Sequence, residues 1–182
     1  MSLIHGRKNM SKHKGDGYWG PRSEWKYYQK VKFWLDEYSP LESFCDVGGW
    51  DTPVCTWGEF DRRVNVNLGE VKDRIDGIEY VIQDYMEFDP KERFDIVSCL
   101  QVLEHLDDET VVAFTRKLLS QAKVATIITV PHEWPEGFEI YHKQDPISMG
   151  KLIKWAGRVP DRHEIIVDHG YGRIAALFLA DK

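Results

Sequence analysis

The sequence predicts an α/β protein, with a mostly parallel sheet, helices on both faces and an antiparallel hairpin at the C-terminal edge. Three observations predict it. Short β-type runs recur at 44–47, 63–67, 78–82, 94–99 and 125–130. An amphipathic helix pattern separates the last two. The chain then ends in two strand-like runs, 163–167 and 173–179, around the turn-forming Asp168-His-Gly-Tyr-Gly172. Strands joined through helices pair in parallel, whereas runs joined by a tight turn pair antiparallel.

The elements follow in order. Residues 1–20 read as a basic arm, loose where Gly6, Gly15 and Gly17 fall, and 21–182 as one domain. Pro21 suits the first turn of a helix, and Trp25, Tyr28, Val31, Leu35 and Tyr38 recur at steps of three and four. Ser39-Pro40 ends that helix, because the residue before proline is pushed out of the helical region. The helix before the fifth run opens on Asp107-Asp108 as caps and carries Val111, Phe114, Leu118 and Leu119 on one face. A last helix is expected from Asp145-Pro146, a cap followed by proline, to Gly157.

Composition fits a globular chain. Of 182 residues, 42% are hydrophobic and 30% charged, enough apolar material for one buried core. There is no repeat or low-complexity segment, and no apolar run approaches the roughly 20 residues that span a bilayer. The N-terminus turns basic at once without an apolar signal core, so a cytoplasmic location is expected. Cys45, Cys55 and Cys99 are odd in number and lack zinc-knuckle spacing, which predicts free thiols, buried where they fall in apolar runs. The net charge of −6 is uneven: residues 1–32 carry eight Lys and Arg against two acids, leaving −12 on the rest. The arm lacks Arg-Gly or aromatic-interleaved patterning, which weighs against nucleic acid as a partner and for a solvated terminus.

In an open parallel sheet, ligands bind beyond the carboxyl ends of the strands, where the strand order reverses. The first run, Phe44-Cys-Asp-Val-Gly-Gly49, ends in two glycines that let the backbone turn sharply and come close to a ligand. The start of a following helix would offer free N–H groups to an anionic group. A dinucleotide dehydrogenase would need Gly-x-Gly-x-x-Gly and a phosphate loop would need Gly-Lys-Ser/Thr; neither is present. The third run leads into Gln83-Asp84-Tyr-Met86, and the fourth reads Phe94-Asp-Ile-Val-Ser-Cys-Leu-Gln-Val-Leu-Glu-His105.

With that fourth segment, the chain resembles the class I S-adenosylmethionine (SAM)-dependent methyltransferases, across roughly residues 40–130. The resemblance implies a Rossmann-like sheet, SAM as cofactor and S-adenosylhomocysteine as product. It implies that Asp46, Gly48, Gly49 and Trp50 frame the amino-acid end of SAM. Asn67 takes the place where the family usually has an acid for the ribose hydroxyls. Asp84 would face the adenine amine, Tyr85 or Met86 the ring, and Cys99, Leu100 and Gln101 the methionine portion. The first loop departs from the family pattern, with Trp50 and Thr52 where small residues are usual, so a non-catalytic SAM-fold partner module is the alternative.

Methyl transfer from a sulfonium is a direct displacement, for which a protein supplies alignment and a dry site. A hydroxyl acceptor would also use a base, and histidine titrates near neutrality. His132, directly after the fifth run, is the first candidate, followed by His105 and His142, with Glu104, Glu133 and Tyr141 as supports. Some O-methyltransferases, among them those of ubiquinone synthesis and of small-RNA 3′ ends, carry Glu-x-x-Glu-His here and bind a divalent metal. Glu104 and His105 match that run but Gln101 replaces its first acid, and an amide is a poorer Mg²⁺ ligand, so no metal is expected. The aromatic segment Pro131–His142, with Tyr18-Trp19 on the arm, could close over a small or saccharide-like acceptor, or Trp134 and Phe138 could only pack the loop on the core.

Overall fold

The computed structural model describes residues 19–181. The expectations for the arm up to residue 18, Tyr18 included, lie outside the described residues. Seven strands form one sheet in the order β3-β2-β1-β4-β5-β7-β6. They are β1 (Leu41–Val47), β2 (Phe60–Asn67), β3 (Glu79–Ile82), β4 (Phe94–Leu100), β5 (Ala122–His132), β6 (Arg162–Asp168) and β7 (Tyr171–Leu179). β1 to β5 pair in parallel. β7 runs antiparallel between β5 and β6. The strand order reverses between β1 and β4, which places the binding crevice at their carboxyl ends.

Alternation along each strand builds two cores. Cys45, Val47, Val97, Cys99, Ile128 and Val130 face α2 (Asp108–Gln121) and α3 (Met149–Ala156). Phe44, Ile96, Ala125, Ile127 and Leu177 face α1 (Lys26–Tyr38). Helices thus cover both faces, as expected. In α1 the buried positions are Tyr27, Tyr28, Val31, Trp34 and Leu35, one stripe at helical spacing. All three cysteines are buried free thiols, and burial raises their pKa well above the ordinary value.

Helix boundaries divide between expectation and correction. Asp107 caps α2, accepting the Thr110 N–H at 2.9 Å. Pro21 does not begin α1: it lies in a separate 3-10 turn, Gly20–Arg22, and Trp25 is extended, so the helix starts at Lys26. The cap of α3 is Ser148, which accepts the Lys151 N–H at 3.1 Å; Asp145 directs its carboxylate to His142 instead. Gly157, with φ 76°, ends α3 as expected. The terminal hairpin turns on His169 and Gly170, both left-handed, as a two-residue type I′ turn requires.

The helix expected after Gly48-Gly49 does not form. The β1–β2 connection holds one 3-10 turn, Val54–Thr56, behind Pro53. Neither the β2–β3 nor the β3–β4 connection contains a helix. β3 has no buried residue.

Candidate active site

The site starts in the turn after β1. Asp46 is fully buried beneath it, and its Oδ1 accepts the Ser98 hydroxyl at 2.5 Å. Its Oδ2 has no partner. Burial pushes the Asp46 carboxyl up to about 7, against the lowering effect of Ser98. Gly48 has φ +78° and donates its N–H to the Val66 carbonyl at 2.8 Å. A Cβ there would lie 2.5 Å from Val102 Cγ2, so the position excludes side chains twice over. Trp50 is left-handed (φ 47°) and donates its N–H to Asn67 Oδ1 at 2.8 Å. The Asn67 amide nitrogen donates in turn to Asn65 Oδ1.

Two further strand ends turn through left-handed residues, Gln101 after β4 (φ 57°) and Glu133 after β5 (φ 53°). Such backbone costs a non-glycine residue of order 1–3 kcal/mol and clusters where a fold positions chemistry. Gln101 is held there on three sides. Its N–H donates to the Thr129 carbonyl at 2.8 Å, its amide nitrogen to Thr129 Oγ1 at 3.1 Å, and its Oε1 accepts from Arg173 Nε at 3.3 Å.

These turns surround a cleft of about 650 Å³. Gly48, Gly49 and Trp50 line it from β1, Asp84 and Tyr85 from β3, and Leu100 and Gln101 from β4. Asp84 Oδ1 accepts the Met86 N–H at 2.8 Å, which fixes the turn after β3. The remaining walls include Tyr28 from α1, Thr110 and Phe114 from α2, and His105. Sequence reasoning did not connect Tyr28 or the α2 residues with the site, because both helices read only as core stripes. A hollow of about 790 Å³ lies at the opposite ends of β1 and β2, beside Pro40 and Glu59, away from the glycine turn.

Four residues assigned to the cofactor take other positions. Asp46 and Cys99 lie inside the fold, Asp46 under the glycines and Cys99 in the α2 core. Asn67 is 2% exposed and its two amide atoms are both engaged by the protein. Met86 sits outside the cleft lining, half-buried, on the far side of the Asp84 turn. His132, the first candidate base, also lies off the cleft: its Nδ1 faces the Ile147 carbonyl at 3.3 Å. The alternation of β5 turns it that way.

A second group adjoins the cleft at His105. Glu104 is 1% exposed, with Oε2 unpartnered, and burial pushes its carboxyl up to about 8. His105 Nδ1 lies 3.0 Å from the Tyr141 carbonyl, and burial lowers its pKa. His142, across from it at 5.0 Å between ring centroids, has Nδ1 2.7 Å from Asp145 Oδ2. Ligand atoms of Glu104, His105 and His142 all lie within 4.8 Å of one another, the group among the described residues that could hold a metal ion. Trp134 stacks on His142 and donates its indole N–H to the Gly172 carbonyl at 2.8 Å. The Arg173 guanidinium stands over the rings of Trp25, Tyr27 and Trp134, at 4.5, 4.9 and 5.4 Å from their centroids.

No protein-family model matches the chain, and no curated protein matches it in sequence. Solved structures do. The N-methyltransferase NodS from Bradyrhizobium japonicum WM9, in complex with S-adenosylhomocysteine, is similar at a TM-score of 0.70 and 10% identity, over 92% of this chain and 90% of that one. Magnesium protoporphyrin IX methyltransferase from Synechocystis PCC 6803, with the same ligand, is similar at 0.68 and 17% identity, over 86% and 82%. The methyltransferase domain of bacterial CtHen1-CN is similar at 0.62 and 16% identity, over 84% and 96%. Strand order, the reversal beside a glycine turn and these likenesses agree: the chain has the class I SAM-dependent methyltransferase fold.

Proposed function

We propose that the chain is a SAM-dependent methyltransferase that acts on a hydroxyl of a small or saccharide-like acceptor. The observation that carries the cofactor is the cleft at the strand reversal, whose floor is two glycines that no side chain could replace. Structures of this fold that hold SAM or S-adenosylhomocysteine support the same reading. Asp84 and Tyr85 would receive the adenosine, and Gln101 and the β1 turn the methionine end.

The hydroxyl follows from the Glu104–His105 group at the cleft's edge. The Tyr141 carbonyl can only accept, so the neutral His105 ring carries its proton on Nδ1 and presents a lone pair on Nε2. That is the form a proton acceptor needs, and it makes His105 rather than His132 the base. The aromatic group of Trp134, Phe138 and Tyr171 stands beside it and suits a sugar or ring face. One observation favours the non-catalytic module: Asn67 is spent inside the fold and leaves no side chain for the ribose.

Calorimetry with SAM and S-adenosylhomocysteine tests the cofactor. Binding is expected, weakened about tenfold or more by Asp84→Ala, a loss of about 1.4 kcal/mol. No binding at millimolar ligand overturns the enzyme. Transfer of a labelled methyl group to sugars and phenols tests the acceptor. Transfer to amines alone would overturn the hydroxyl.

A further inference from the structure

We infer that Glu104, His105 and His142 form a site for one divalent transition-metal ion of the kind that prefers imidazole, such as Co²⁺ or Zn²⁺. Each residue arrives from a different direction. Glu104 and His105 belong to the 3-10 turn after β4, while His142 belongs to the long connection from β5 to α3. That connection is tied down at this point, with the N–H groups of Lys143 and Gln144 both donating to the Glu104 carbonyl. The Gln144 side chain adds bonds of 2.9 Å to the Leu106 carbonyl and to Asp108.

Both histidines are oriented as metal ligands are. A ligating imidazole gives one ring N–H to a carbonyl or carboxylate and offers the other nitrogen to the ion. His105 does so through Tyr141 and His142 through Asp145, and the side chains of His142 and Asp145 are only 9% and 1% exposed. The third member is a buried carboxylate with an unpartnered oxygen. An unpaired buried acid is costly, and a cation among three such groups removes the cost. Ligand atoms within 4.8 Å need only a contraction of about 1 Å to share bonds of about 2.0–2.2 Å.

The ligand chemistry selects the ion. Mg²⁺ asks for oxygen, and the oxygen that Gln101 could add is engaged by Arg173. Two imidazoles and one carboxylate with open positions instead suit the later first-row metals. Bound there, the ion would supply Lewis acidity to an acceptor oxygen, and His105 would then serve as a ligand rather than a base. That role rests on the methyltransferase reading; the metal site itself does not.

Co²⁺ added to the tag-free chain without SAM separates the two, because it is read by visible absorption and calorimetry rather than activity. One Co²⁺ per chain is expected, with visible bands, displaced by Zn²⁺ and not by Mg²⁺. His142→Ala should abolish the bands. Asp145→Asn should weaken binding about 10- to 100-fold, as loss of an orienting partner does. Circular dichroism checks that each variant is folded, and Glu104→Gln replaces His142→Ala if that one is not. Absence of saturable binding overturns the site, as do bands unchanged in folded His142→Ala and Glu104→Gln.

Discussion

Gly49 packs so closely on Asp46 that a Cβ at residue 49 would stand 2.0 Å from Asp46 Oδ2 and 3.1 Å from the Asn65 side-chain nitrogen. Both neighbours are fully buried and cannot swing away. Gly49→Ala should therefore destabilise the fold by about 1–3 kcal/mol, as overpacking does, and abolish SAM binding. Urea titration and calorimetry read the two effects. A variant as stable as the parent would mean that the turn is far softer than its geometry.

Asp46 also sets a pH dependence. Burial raises its carboxyl to about 7, whereas an unfolded aspartate titrates near 3.9. The folded chain thus holds the proton more tightly. Its contribution to stability is fullest below about pH 4 and is lost as pH rises towards 7, by an amount on the order of a few kcal/mol. Asp46→Asn keeps an oxygen for Ser98 and removes the titration. The stability difference between variant and parent should therefore grow in the variant's favour from pH 5 to 8. Parallel pH profiles from urea titrations would refute it.

Asn67 stands where an acid is usual in the resembled family, and restoring that acid should do harm. Asn67→Asp keeps the acceptor for the Trp50 N–H but replaces the donor to Asn65 with a second oxygen. The two facing oxygens, in a fully buried place, should cost about 1–3 kcal/mol. Thermal melting reads the loss. SAM affinity should not rise, and a rise seen by calorimetry would mean that residue 67 does reach the ribose.

The sequence was most legible where one local rule had no competitor. The run Phe94–Leu100 is buried at every position, and its apolar continuity gave both the central strand and its place. The Asp107 cap and the His169-Gly170 turn were equally local. The site was harder to read, because it depends on which way side chains face once strands are paired. Asn67 ends β2 where expected, yet pleating turns its amide to Trp50 and Asn65. His132 was read from its position after β5 and proved to face Ile147, while His142, deep in a loop without periodicity, came to lie opposite His105. The helix predicted after Gly49 failed because Pro53 and a short connection leave room for only one 3-10 turn.

That missing helix makes the bound cofactor part of the architecture. Half of the sheet, from β1 to β3, carries no crossover helix of its own. An adenosine seated against Val66, Asp84 and Tyr85 would supply packing there that other doubly wound sheets take from protein. The β2–β3 edge would then be the first part to open in the empty protein and the part that ligand braces. Occupancy would be written into melting temperature, with about 2.7 kcal/mol of added stability at a hundredfold excess over Kd. A thermal scan against SAM and its analogues would then serve as the chain's own binding assay.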